Sequence, residues 1–141
     1  MSITEKSKYI VEEFEKFPSW EEKYSHLIKI GKDCRIDPKY QTDQYKVKGC
    51  QSSVWMFAEM KDGKIYYQGD SDAAIVKGLV ALALRVYSGE TAQEIMQSNA
   101  EFMEKLGLNT HLSQTRANGL ASMIKQIKLF AFALSQISGR S

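Results

Sequence analysis

Val54-Trp55-Met56-Phe57-Ala58-Glu59-Met60-Lys61-Asp62-Gly63-Lys64-Ile65-Tyr66-Tyr67 is the stretch that decides the fold. Val54 to Met60 is rich in β-branched, aromatic and other apolar residues, as a strand requires. Asp62-Gly63 is a strong signal for a two-residue hairpin turn, and Ile65-Tyr66-Tyr67 supplies the return strand. Upstream, Tyr45 to Val47 is placed to add an edge strand across a glycine-containing turn. The expectation is a small antiparallel meander of about three strands, with one apolar face that needs a helical layer.

That layer follows at once. Ala73, Ile75, Val76, Leu79, Val80, Leu82, Ala83, Val86 and Tyr87 recur with helical spacing and cover most of a helix surface, predicting a central, largely buried helix closed by Gly89. Asp70 or Ser71 is expected to cap it. On the amino-terminal side, Ser2-Ile3-Thr4-Glu5 and Ser19-Trp20-Glu21-Glu22 read as capping boxes. The first opens a helix with Ile10, Phe14 and Phe17 on one face. The second opens a helix with Trp20, Tyr24, Leu27 and Ile28 on one face, stopping at Gly31. Residues 33–44 are polar, contain Pro38 and read as a loop. Thr91-Ala92-Gln93-Glu94 is a further capping box, Glu101 to Leu106 reads as a short helix ended by Gly107, and a last helix runs from near Ser113 to about Gln136 along a stripe of Leu120, Ile124, Ile127, Ala131 and Leu134. Strands in one block and helices around it make an α+β domain, with residues 1–141 as one unit.

Composition narrows the function. With 141 residues, 43% hydrophobic and 26% charged, the chain has the make-up of an ordinary globular protein. The basic and acidic counts, 19 and 17, nearly balance, which argues against nucleic acid as a partner. The longest apolar runs, Leu79 to Leu84 and Leu129 to Leu134, are too short for a membrane span. Ser2-Ile3-Thr4-Glu5 after Met1 shows no secretory pattern, so a cytoplasmic location is the default expectation.

The chemistry concentrates on one side chain. Cys50 lies in Val47-Lys48-Gly49-Cys50-Gln51-Ser52-Ser53, a polar, glycine-led turn at the mouth of a strand. A structural cysteine usually occupies an apolar periodic position; Cys50 does not, so it reads as a reactive thiol. Lys48 beside it either lowers its pKa or belongs to a solvated loop. Cys34, flanked by Asp33 and Arg35, reads as a partly exposed, incidental thiol or as a resolving partner for Cys50. There is no CxxC, and His26 and His111 are distant in sequence from both cysteines, so no metal site is expected. Gly69-Asp70-Ser71-Asp72 joins the return strand to the buried helix; its carboxylates either cap that helix or approach the cysteine turn. Arg116 falls in the first turn of the last helix, where a cation opposes the helix dipole, so it calls for an ion pair or a partner. Gly119 in the same helix is explained by close packing of helix on sheet. His111 is either a base for the thiol or a loop histidine bonded to backbone.

Four segments then carry a family resemblance: Trp20-Glu21-Glu22-Lys23-Tyr24; Gly49-Cys50-Gln51-Ser52 with Val54-Trp55; Gly69-Asp70-Ser71-Asp72-Ala73-Ala74-Ile75-Val76-Lys77-Gly78-Leu79; and His111-Leu112-Ser113 with Arg116 and Gly119-Leu120. In this order and spacing the chain resembles the SufE/CsdE family, the sulfur acceptors that work with cysteine desulfurases in iron–sulfur cluster assembly. The resemblance implies an α+β fold shared with IscU-type scaffolds. It implies that Cys50 accepts persulfide sulfur from a desulfurase of the SufS/CsdA type and delivers it to an iron–sulfur scaffold, with Gly49, Gln51, Ser52, Asp70, Asp72, His111 and Arg116 supporting the loop or the partner surface. It implies no cofactor in this chain, pyridoxal phosphate belonging to the desulfurase. The loop from Lys32 to Gln44 departs from the family's Leu-Pro and Arg pattern. Three other readings stand beside this one: an IscU-like cluster scaffold, which needs about three cysteine ligands; a stand-alone thiol enzyme; and a non-covalent desulfurase activator.

Overall fold

The computed structural model describes residues 2–138, apart from the side chains of Asn109 and Ser138. Two helices lead, α1 (Ile3–Glu15) and α2 (Trp20–Gly31), followed by the hairpin β1 (Val54–Lys61) and β2 (Lys64–Ser71). Then come α3 (Ala74–Tyr87), α4 (Ala92–Gln97), α5 (Glu101–Lys105), α6 (Leu108–His111) and the long α7 (Gln114–Ser138). The architecture is α+β, as the sequence pattern predicts.

The hairpin forms where expected. Lys61 pairs with Lys64 across Asp62 and Gly63, whose φ values of 52° and 80° suit the twist of the flanking strands. Alternation then does the rest: Val54, Met56 and Ala58 of β1 and Ile65, Tyr67, Gly69 and Ser71 of β2 turn to the buried face.

The third strand does not form. Asp43–Tyr45 coils into a 3₁₀ turn, and the chain turns away again at Lys48-Gly49. Between them only Lys46 bridges Trp55, with the Val47 amide donating to the Val54 carbonyl at 2.8 Å. The sheet is therefore two-stranded.

Helix α3 covers the buried face, with Leu79, Val80, Leu82, Ala83, Val86 and Tyr87 at 0–1% exposure. It begins later than the sequence suggests. Asp70 and Ser71 lie in β2, and Ala73 is the residue before the helix, with no side chain capping it. Helix α2 crosses α3 backbone to backbone: a β-carbon at Gly78 would stand 2.3 Å from the Leu27 carbonyl oxygen, and one at Gly31 2.6 Å from the Gly78 amide. That crossing settles the buried stripe of α2 as Leu27 and Gly31, leaving Ile28 exposed. Helix α1 ends at Glu15, so Phe17 lies beyond it and packs its ring on His26 at 4.6 Å. Helix α7 closes the core with Leu120, Met123, Ile124, Ile127 and Ala131, and the buried Tyr67 hydroxyl donates to the Ile127 carbonyl at 2.7 Å. Ser2, Ser19 and Thr91 cap their helices, with the full reciprocal capping box formed at Ser2 and Glu5, and only the hydroxyl half at Ser19 and Thr91.

Candidate functional site

Residues 48–53 form a loop pinched where Val47 meets Val54. Gly49 starts it with φ at 89°, a conformation that side chains disfavour, and it rests so closely on α7 that a β-carbon there would meet the Ser122 hydroxyl at 2.4 Å. The next side chain, Cys50, is thereby turned inward against α7. Its thiol donates to the Gly119 carbonyl at 3.5 Å, and a β-carbon at Gly119 would meet the sulfur at 3.7 Å, an ordinary contact. The glycine within α7 therefore faces the cysteine, and close packing of helix on sheet does not explain it.

The other end of the loop is held by the β2–α3 junction. Asp72 Oδ1 accepts the Ser53 amide at 3.1 Å, the Ser53 carbonyl accepts the Ser71 hydroxyl at 2.8 Å, and the Asp72 amide donates to the same carbonyl at 3.3 Å. Asp70 takes a different part: it accepts the Ser71 amide at 2.7 Å and pairs with Lys77 at 3.3 Å. Of the two readings of this segment, the cysteine turn claims Asp72 and shares Ser71, whose hydroxyl also accepts the amide of Ala73 at the helix start at 3.3 Å.

Cys50 opens on a recess of about 400 Å³. The loop contributes Cys50, Gln51 and Ser52 to its wall, α3 contributes Val76 and Leu79, and the start of α7 contributes Ser113, Thr115, Arg116, Gly119 and Met123. One side is apolar and the other hydroxylic and cationic. Ser113 caps α7 by accepting the Arg116 amide at 3.2 Å. Arg116 itself is exposed and makes no ion pair among the described residues, so the wall of the recess carries an unmatched positive charge.

Burial pushes the Cys50 thiol up, with no cation offsetting it. Lys48 is exposed and does not offset that burial, which leaves the solvated-loop reading of it. In the free protein Cys50 is therefore a half-buried, protonated thiol at neutral pH. Cys34 is more deeply placed, 8% exposed, with its thiol donating to the Gly69 carbonyl at 2.9 Å. Burial, then the nearby Asp70 carboxylate, pushes it up to about 11. It is neither partly exposed nor part of the Cys50 recess, and the resolving role finds no support.

His111 ends α6 and is likewise outside the recess lining. Its ring stacks on Trp20 with centroids 4.1 Å apart and planes at 15°. Among the described residues, no group of three or more His, Cys, Asp or Glu side chains gathers to hold a metal, and no helix is long and apolar enough to cross a membrane. Thr115 and Met123 are the recess walls that the sequence does not announce, since neither lies on the apolar stripe of the last helix or in a resemblance segment.

Residues 8–131 match the family described as "SufE: Fe-S metabolism associated domain". The chain belongs to the SufE family. Its role therefore lies in iron–sulfur metabolism. This SufE-family chain is 41% identical over 125 residues to an uncharacterized SufE-like protein of Rhizobium meliloti (strain 1021), covering 84% of this chain and 89% of that one. It is 40% identical over 135 residues to an uncharacterized SufE-like protein of Synechocystis sp., covering 92% and 84%. Its fold is also similar to the solution structure of a hypothetical protein from Thermus thermophilus, with a TM-score of 0.78, 20% identity, and coverage of 93% and 96%.

Proposed function

We propose that this SufE-family protein is a sulfur carrier whose acceptor is Cys50, loaded by a pyridoxal-phosphate-dependent cysteine desulfurase and unloaded onto an iron–sulfur scaffold. The observation that carries the reading is a single thiol set at the edge of an open recess, on a loop clamped at Ser53 and hung on Gly49.

The transfer needs only a nucleophile. The Cys50 thiolate attacks the outer sulfur of the desulfurase persulfide; a new sulfur–sulfur bond forms at Cys50, the old one breaks, and the desulfurase cysteine leaves as a thiolate that takes up a proton. A second exchange of the same kind passes the sulfur on. The leaving group is already a good one, so no general acid or oxyanion hole is required.

Burial suits the other half of a carrier's task. A protonated, half-buried Cys50 is a poor nucleophile toward oxidants and electrophiles in solvent. Docking that draws the 48–53 loop off α7 brings the sulfur into water, lowers its pKa and arms it. Arg116, exposed beside the recess, is placed to meet an acidic group on the incoming partner.

Intact-mass measurement after mixing the protein with a cysteine desulfurase and free cysteine tests this. The expected result is the gain of one sulfur atom on Cys50, removed by dithiothreitol. Sulfur arriving on Cys34, or on neither thiol, overturns it.

A further inference from the structure

Helix α2 lines no part of the Cys50 recess, yet it grips both walls. On one side its Leu27 carbonyl and Gly31 abut Gly78, which lies between Val76 and Leu79, the two α3 residues of the recess. On the other side its Trp20 ring stacks on His111, and its Tyr24 hydroxyl donates to the His111 carbonyl. Gly107 admits the indole: a β-carbon there would stand 3.0 Å from Trp20 Cζ2 and 3.3 Å from His111 Cδ2. Beyond His111 the chain buries Leu112, then reaches Ser113, Thr115 and Arg116, the polar wall. His111 itself is exposed, so its stack on Trp20 is not a demand of core packing.

We infer that Trp20, Tyr24 and His111 are positioning residues for the Cys50 recess, tying the α6–α7 junction to α2 and so setting how far the Ser113–Arg116 wall closes over the thiol. The inference deepens the sulfur-acceptor reading and rests on it for its functional meaning. The wall that moves when the tie loosens is the one bearing Arg116 and the carbonyl of Gly119 that holds the sulfur. Two contacts from two side chains of α2, the Trp20 stack and the Tyr24 hydrogen bond, converge on His111 and tie the junction to α2 at that residue.

The test is the alkylation rate of each thiol by iodoacetamide in the full chain, resolved by peptide mass, with buried Cys34 as internal reference. In His111→Ala the Cys50 rate is expected to rise about fivefold, the factor that corresponds to losing one aromatic pair of about 1 kcal/mol. The Cys34 rate stays unchanged. His111→Phe, which keeps a ring on Trp20, restores the slow Cys50 rate. Tyr24→Phe, which keeps the packing and drops the hydroxyl, raises it by a smaller factor and provides the measurement should His111→Ala fold poorly. Equal acceleration at both thiols, no acceleration at Cys50, or no rescue by phenylalanine overturns the inference. Alkylation needs no desulfurase, so a failure of sulfur transfer to Cys50 leaves this result standing, and the reverse holds equally.

Discussion

Asp72 and Ser53 are joined twice: the Asp72 carboxylate accepts the Ser53 amide at 3.1 Å, and the Asp72 amide donates to the Ser53 carbonyl at 3.3 Å. The side-chain half of this clamp is charge-assisted, worth about 1–2 kcal/mol in a solvent-facing setting. It holds the strand side of the cysteine loop while Gly49 holds the helix side. Asp72→Ala removes one of the two bonds. The expected outcome is faster Cys50 alkylation, by about tenfold at that magnitude, and a stability loss of about 1 kcal/mol. An unchanged alkylation rate, measured as loss of free thiol by mass, would show that the clamp does not hold the loop.

Cys50→Ser separates carrying from docking. Serine keeps the loop's shape and its proximity to the Gly119 carbonyl but is a far weaker nucleophile at neutral pH. The variant is expected to fold with a melting temperature close to that of the parent, to bind a desulfurase with similar affinity, and to accept no sulfur. Desulfurase stimulation by the variant equal to that by the parent would make the protein a non-covalent activator instead.

The α2–α3 crossing predicts a reversal of an ordinary rule. Glycine to alanine inside a helix normally stabilises by about 1 kcal/mol. At Gly78 the new methyl group would stand 2.3 Å from a backbone oxygen of α2, which cannot move without its helix. Gly78→Ala is therefore expected to destabilise by about 2–3 kcal/mol, read from urea unfolding, and to displace Val76 and Leu79 at the recess. A stabilised variant would mean that the two helices separate at little cost.

How much of this is visible in the chain itself follows from the range of each signal. Asp62-Gly63 and the alternation around it are local, and the hairpin forms as read. Cys50 stands out because a glycine-led polar turn is the wrong place for a structural cysteine. The third strand is absent because Asp43–Tyr45 satisfies its backbone in a 3₁₀ turn, which composition does not distinguish from a short strand. Asp70 and Ser71 resemble caps because helix ends attract such residues; the helix starts at Ala74, three residues past Ser71, which frees Ser71 and Asp72 to bind Ser53. Trp20 and His111 meet only through tertiary folding, and no periodicity announces a stack between residues so far apart.

Glu13 anchors the acid side of stability. Its carboxylate accepts two bonds from the Arg85 guanidinium, at 3.1 and 2.9 Å, and faces His26 Nε2 at 2.7 Å. Arg85, then His26, outweigh burial and hold Glu13 down at about 2. A depressed folded pKa gives stability that is full above the ordinary value of 4.5 and lost as pH falls from there toward 2. Arg85 is 45% exposed, so solvent screening reduces the effect to about 1 kcal/mol. Glu13→Gln should lose that amount at pH 7 and show a flatter decline below pH 4.5; an acid limb parallel to the parent's would remove Glu13 from the account.

The alkaline side belongs to Cys34. Its folded pKa, about 11, lies above the ordinary thiol value of 9.0. Here the unfolded chain sheds its proton first, so between pH 9 and 11 the folded state binds more protons and stability falls as pH rises. With Cys34 only 8% exposed, the full two-unit shift corresponds to about 2–3 kcal/mol across that window. Tyr67 and Tyr87 are also pushed up by burial and add to the decline at its upper end. Cys34→Ala removes the thiol's share and leaves theirs, so slopes rather than absolute stabilities are compared. The expected result is a shallower fall in urea-unfolding free energy from pH 9 to 11 in the variant. Identical slopes would mean that the Cys34 thiol ionises in the folded protein as it does in the unfolded chain, and that its bond to the Gly69 carbonyl does not hold the proton.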